Sequence, residues 1–297
     1  MTATQKIKLK IGDYEICPVP TGIFGLDGGA MFGTVPKVLW EKSNPADEKN
    51  RIQMEARGLL LKSSQANILI DCGNGGDFID KYGEKLGSKF NEMYNISDDG
   101  PSLKKSLTYH GLEFEDIDHV ILTHLHFDHA GGGTRSVNGQ LKPTFPNAKY
   151  HLQKKNLETA SAPNLREKAS YFPANYQPLL DAGVLNLLDG AAEHFLPGIS
   201  AQISNGHTQG HQMIRISDGK LTLVYCGDVV PTSSHVRLPW VMGYDLSPMM
   251  LIEEKSRYLG PAADQSWYLF FEHDPYCDAA LIVRQGQDFA VQQRFWL

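Results

Sequence analysis

HVILTHLHFDHAGGG, residues 119–133, decides how this chain is read. An apolar run with the pattern of a buried strand hands over directly to His124, His126, Asp128 and His129, four polar groups within six positions. Groups of that kind beside a buried strand carry a large desolvation cost unless something pairs with them. A divalent metal supplies the pairing, because an ion such as zinc takes neutral imidazole nitrogen and carboxylate oxygen. His124 and His126 alternate along an extended turn, point to a common side and suit one ion. Asp128 and His129 fall out of phase once the chain turns and suit a second ion beside the first.

Each ion needs further ligands, and the chain offers them downstream. His207 in SNGHTQGH, Asp228 in YCGDVV and His273 in FEHDP each follow a β-like segment. A carboxylate can hold two ions about 3.5–4 Å apart, and Asp228 is the candidate bridge. Asp71, at the end of ANILIDCG, reads as a strand-end carboxylate that orients a ligand by hydrogen bonding, and His211 as a turn or supporting residue. His110, His119, His151 and His194 stay unassigned, since an isolated histidine is more often a core or solvent residue. Cys17, Cys72, Cys226 and Cys277 lie far apart with no CxxC pair, which points to a reducing compartment, and Cys72 and Cys226, beside the inferred site, read as small buried residues rather than ligands.

The flanking segments suggest how such ligands gather. KIKLKIGDYEICPVP alternates like a half-buried strand, and TGIFGLDGGAMFG, residues 21–33, reads as a glycine-rich loop with exposed apolar side chains. Residues 56–63 and 66–73 read as a hairpin, residues 76–100 as polar and irregular, and PSLKKSLTYHG as a short helix. AKYHLQ is a strand, followed by a polar helical stretch to about residue 170; APNLREKASYFPANYQPLL is an irregular or helical insertion. ISAQISNGH, HQMIRISDGKLTLVYCGD and QSWYLFFEHD are β-rich, with Asp218-Gly219 a two-residue hairpin turn. Strand ends that repeatedly deliver His or Asp to a loop are how an α/β scaffold collects ligands at one sheet edge.

At 297 residues, 41% apolar and 21% charged, the chain has the composition of a globular protein with a full core, and we expect one domain over 1–297. It would carry an N-terminal extension and loop over about 1–55 and an insertion at about 160–190. A net charge of −6 gives no field for gathering a polyanion, which argues against a nucleic-acid partner. The N-terminus lacks the uninterrupted apolar core of a signal peptide, and no window reaches the ~18 apolar residues of a membrane span. The expected setting is the cytoplasm, with no membrane partner.

THLHFDHAGG, GHTQGH, the CGD and the late His273 together resemble the metallo-β-lactamase fold superfamily with its HxHxDH signature. The resemblance implies an α/β fold, an αββα sandwich of two mixed β-sheets flanked by helices. It puts His124, His126 and His207 on one metal, Asp128, His129 and His273 on the other, and Asp228 between them. DGGAMFGTVPKVLW and the W-x-x-x-YD-x-x-P segment from Trp240 to Pro248 are similar to the branch of quorum-quenching N-acyl-homoserine lactonases and methyl parathion hydrolase. No clear counterpart of the active-site tyrosine of some lactonases is present, Tyr244 being a loose match. The implied cofactors are two divalent ions, zinc first, with manganese, iron and cobalt as alternatives. The implied reaction is attack on a lactone or ester carbonyl by a hydroxide held between the ions, with Asp128 passing a proton to the leaving oxygen.

Met31, Phe32, Trp240, Met242 and Tyr244 are the candidates for an acyl-chain pocket, weighed evenly against core packing. A homodimer would use the apolar loop at 30–33 and the C-terminal FWL. The nearest rival is a phosphotriesterase using the same hydroxide. A di-iron redox protein is a weaker alternative, because His126 stands where such chains usually carry an acidic residue and no flavodoxin-like domain is appended. A nuclease or a decayed binding protein is weaker still.

Overall fold

Short aliphatic and aromatic runs between turns build two mixed sheets. The first has eight strands in the order Gln5–Lys6, Asp288–Trp296, Ala279–Gln285, Tyr268–Phe270, Thr222–Tyr225, His211–Ser217, Ile199–Ser204, Ala192–Leu196. The second has seven, in the order Leu185–Leu188, Lys149–Gln153, His119–Ile121, Asn67–Ile70, Arg51–Lys62, Tyr14–Asp27, Leu9–Ile11. Helices accompany both, the longest being Pro248–Asp264. The computed structural model describes residues 4–96 and 100–297, and none of its described helices is long and apolar enough to cross a membrane.

The chain divides into two compact units. The central unit takes Asp13–Phe24 and Glu55–Gly190; the C-terminal unit takes Met1–Gly12, Gly25–Met54 and Ala191–Leu297. In the central unit Asn67–Ile70, His119–Ile121 and Lys149–Gln153 run parallel, with Val120 aligned between Leu69 and Tyr150. Parallel strands of this kind are covered on both faces, and Leu69, Val120, Ile121 and Tyr150 are all fully buried. Each such aliphatic side chain contributes roughly 1.5–3 kcal/mol relative to exposure. In the C-terminal unit a separate core joins Met213, Val224, Leu269 and Phe271 to Leu251 and Leu259 of the long helix.

Two segments differ from the sequence reading. Residues 21–33 are not an exposed loop: the strand continues to Asp27, whose Oδ1 caps helix Gly28–Phe32 by accepting from Ala30 N at 2.8 Å. Met31 and Phe32 are buried, so the glycines there serve close packing rather than exposure; a Cβ on Gly28 would lie 2.4 Å from Trp40. Much of the polar stretch at 76–100 forms helices Phe78–Tyr82 and Glu84–Tyr94, while residues 97–99 lie outside those described. Its polarity concealed an aromatic stripe, in which Phe78, Tyr82, Phe90 and Tyr94 pack on one another and on Phe127 and Phe172. The apolar C-terminus is a strand, with Phe295 buried and aligned with Gln5.

Candidate metal centre

In the central unit, the strand His119–Ile121 ends three residues before His124. After it the chain turns through His126 into the single turn Phe127–Ala130. Neighbouring backbone fixes this path. Asp71 N donates to Ile121 O at 3.0 Å, Cys72 N to His129 O at 2.8 Å and Gly132 N to Gly73 O at 2.9 Å. The approach is close enough to demand glycine, because a Cβ on Gly131 would lie 2.1 Å from Asn74 O and one on Gly132 2.2 Å from Cys72 O.

Asp71, fully buried and at φ 54°, organises the imidazoles. Its Oδ1 accepts from Thr123 N at 2.7 Å, and its Oδ2 accepts from Thr123 Oγ1 at 2.6 Å and from His129 Nδ1 at 3.0 Å. The proton on His129 is thereby placed on Nδ1, which leaves the Nε2 lone pair for a ligand. The same logic passes through Thr123. Its hydroxyl proton goes to Asp71, so its oxygen accepts from His124 Nδ1 at 3.1 Å and the Nε2 of His124 also carries a lone pair. The rings of His124 and His126 lie 4.4 Å apart, and their ligand atoms fall within 4.8 Å of each other. Asp128 Oδ1 stands 4.0 Å from His129 Nε2.

In the C-terminal unit the ligand candidates come from three strand ends. His207 follows Ile199–Ser204, and its loop is held by Glu254, which accepts from Ser204 Oγ, Asn205 N and Gly206 N at 2.5, 2.9 and 3.1 Å. Asp228 follows Thr222–Tyr225, its N–H donating to His211 Nε2 at 3.1 Å. His273 follows Tyr268–Phe270, its N–H donating to Pro231 O at 3.1 Å, beside an Asp274 that takes Ser233 N at 2.7 Å. Asp245 accepts from His207 Nδ1 at 2.9 Å and from Met242 N at 2.6 Å. Burial raises the Asp245 carboxyl above its ordinary value, and the bond from His207 opposes that rise.

Asp228 Oδ2 lies 3.2 Å from His207 Nε2, and its Oδ1 lies 3.2 Å from His273 Nε2. With the His207 proton committed to Asp245, a lone pair on Nε2 faces a carboxylate oxygen. Two lone pairs at that separation call for a cation, and a carboxylate that turns one oxygen to each of two imidazoles has the donor arrangement of a two-ion bridge. The residues therefore fit divalent metal.

The pocket candidates all belong to the C-terminal unit. Phe32 is enclosed, stacked on Trp40 and His235 at 5.3 and 4.7 Å and met edge-on by Trp240 at 5.6 Å. Met31 and Met242 are buried, whereas Trp240 is half-buried and Tyr244 is exposed. Helix 28–32 is tied to the 240–244 segment by Gly243 N donating to Ala30 O at 2.7 Å. Sequence reading passed over Asp245, although it is the aspartate of the quoted W-x-x-x-YD-x-x-P segment. It also passed over Thr123 and Glu254, for which the sequence carries no signal beyond a polar residue near a strand end or on a helix.

Residues 59–264 match the family described as the metallo-beta-lactamase superfamily. The crystal structure of a probable metal-dependent hydrolase from Staphylococcus aureus superposes with a TM-score of 0.86 at 33% identity, covering 97% of this chain and 99% of that one. N-acyl homoserine lactonase AiiA of Bacillus thuringiensis subsp. kurstaki is 25% identical over 225 residues, which span 72% of this chain and 79% of that protein. A probable metallo-hydrolase of Mycobacterium tuberculosis is 24% identical over 203 residues, 62% of this chain; the match spans only 61% of that relative's length.

Proposed function

Because the chain belongs to the metallo-beta-lactamase superfamily, a family of metal-dependent hydrolases, we propose that it opens lactone or ester bonds, foremost those of N-acyl-homoserine lactones, in a quorum-quenching role. On the superfamily pattern, His124, His126 and His207 would hold one divalent cation and Asp128, His129 and His273 the other, with Asp228 as the shared carboxylate. Zinc is the first choice of ion. When bound, such a pair supplies Lewis acidity and a water acidified toward neutral pH.

The chain's own residues do the rest. Asp71, directly and through Thr123, keeps protons on the Nδ1 atoms of His129 and His124, and Asp245 does so for His207. Asp128 would take up, on a carboxylate oxygen, the proton released as water adds to the carbonyl, and return it to the departing alkoxide. Trp240, met edge-on by Phe32, and Tyr244 offer aromatic surface to an acyl chain, and the buried Met31 and Met242 belong to the same two segments. A reducing, cytoplasmic setting suits four buried cysteines that form no disulfide.

The observation that carries this reading is the Asp228 carboxylate set 3.2 Å from both His207 Nε2 and His273 Nε2. The lactone preference is supported by the name of the Bacillus relative. The test is a panel on zinc-reconstituted protein, pairing a long-chain acyl-homoserine lactone with a paraoxon-type triester and using His124→Ala as control. Lactone opening that dominates and vanishes in the control is expected. Preference for the triester overturns the substrate class, and a metal-loaded protein that cleaves neither overturns the hydrolase.

A further inference from the structure

We propose that the central unit carries a second ligand site, for a small molecule bearing an oxyanion group, in a cavity of about 260 Å³ walled by Gly75, Gly132, Phe114, Arg135 and Thr144. An apolar cavity of about 150 Å³ already admits benzene, so the space exceeds what one water needs. The cavity opens to solvent past Gly76, Asp77 and Lys104, all exposed.

Its polar lining is specific about what it lacks. Two of its hydroxyls are committed, Thr21 Oγ1 donating to Ala56 O and Thr134 Oγ1 to Ala174 O, each at 2.9 Å. Ser102 Oγ caps its own helix by accepting from Lys105 N. Thr144 differs: it is 2% exposed, its N–H is pinned to Gly133 O at 2.9 Å, and its hydroxyl is buried with no hydrogen-bond partner. Arg135 is alike, its Nε–H buried without a partner while its guanidinium lies 4.8 Å from the centre of the Phe114 ring. A buried donor left unmade costs about 1–3 kcal/mol, and more for a charged group.

Two donors without a partner, one of them cationic, thus belong to side chains that wall the same cavity. Lys104 adds positive charge at the rim, and Asp77, the one acidic side chain among the described residues of the lining, already accepts Ser136 N at 2.9 Å through its Oδ2. A carboxylate or phosphate group matches this set, with the Phe114 face for an adjoining carbon skeleton. Gly132 lies three residues after His129 and Gly75 four after Asp71, so the occupant rests on the backbone that carries those two side chains.

The test is an amide-resolved NMR titration of the metal-loaded protein with acetate, inorganic phosphate and neutral acetamide. The amides of Gly76, Gly132 and Thr144 report the cavity, and the His124→Ala protein separates it from any anion held at the metal centre. Saturable shifts with acetate or phosphate and none with acetamide are expected in both backgrounds, the stronger of the two anions naming the source of the oxyanion. Arg135→Met should weaken binding about tenfold, and Thr144→Val, which removes only an unpaired hydroxyl, about threefold with no loss of fold. Anions that give no saturable shift, or that bind Thr144→Val and Arg135→Met as they bind the wild type, overturn the site. Should Arg135→Met fail to fold, Thr144→Val decides alone.

Discussion

The two sets of candidate ligands are built on opposite plans. In the central unit His124, His126, Asp128 and His129 come from one turn, held mainly by backbone: the 71–73 and 121–132 segments exchange main-chain hydrogen bonds, and a single carboxylate, Asp71, sets the tautomers. In the C-terminal unit His207, Asp228 and His273 come from three strand ends, held mainly by side chains, with Asp245, Glu254, Asp274 and His211 each bracing one loop. A contiguous motif is shaped by what its backbone can approach. A dispersed one depends on buried carboxylates recruited from elsewhere in the unit.

The largest effect should fall on the residue that serves both its imidazole neighbours. Asp228→Asn keeps the shape and loses the charge; metal analysis should show loss of bound ions, with hydrolysis falling by more than the ~10–100-fold typical of a supporting residue. Retention of a full metal complement would mean that Asp228 is no bridge. Next come Asp245→Asn and Asp71→Asn, each expected to lower metal affinity by about 10–100-fold in competition with a chelator. If the plans differ as described, Asp71→Asn also lowers the urea midpoint, because it unties Thr123, whereas Asp245→Asn chiefly affects metal.

Gly132→Ala probes the backbone plan directly. A methyl 2.2 Å from Cys72 O forces the loop aside, for an expected loss of about 1–3 kcal/mol in urea unfolding. An unchanged midpoint would show that the close approach is dispensable. The effect that is smallest at neutral pH concerns buried His235, which hydrogen-bonds Met31 O through Nε2 and Thr232 Oγ1 through Nδ1, both at 2.8 Å. Burial pushes its pKa down from 6.5 to about 3. The unfolded chain therefore binds this proton first, so stability is lost as pH falls from 6.5 toward 3 and is fully present above 6.5. Comparing wild type with His235→Gln should show a shallower acid limb in the variant; parallel limbs would remove the assignment.

Legibility followed the same division. The contiguous motif was readable because desolvation makes four adjacent polar groups after a buried strand hard to explain otherwise, and the sheets were readable from alternation and from Asp218-Gly219, where Gly219 adopts φ 84°. Helix Glu84–Tyr94 was missed because its aromatic stripe is thin against Lys, Glu and Asn on its other faces. Residues 21–33 were misread because glycine signals flexibility and close packing alike, and only the position of Trp40 tells them apart. Asp245 was missed because a carboxylate that serves a histidine 38 positions away has no local pattern.

Asp245 also bears on attempts to redesign this protein. One of its oxygens holds the His207 ring and the other holds the amide of Met242, in the segment that presents Trp240 and Tyr244. Laboratory evolution that recombines residues 240–244 to change selectivity will therefore shift the imidazole as well, and libraries drawn there should show retargeted variants paired with weakened cation retention.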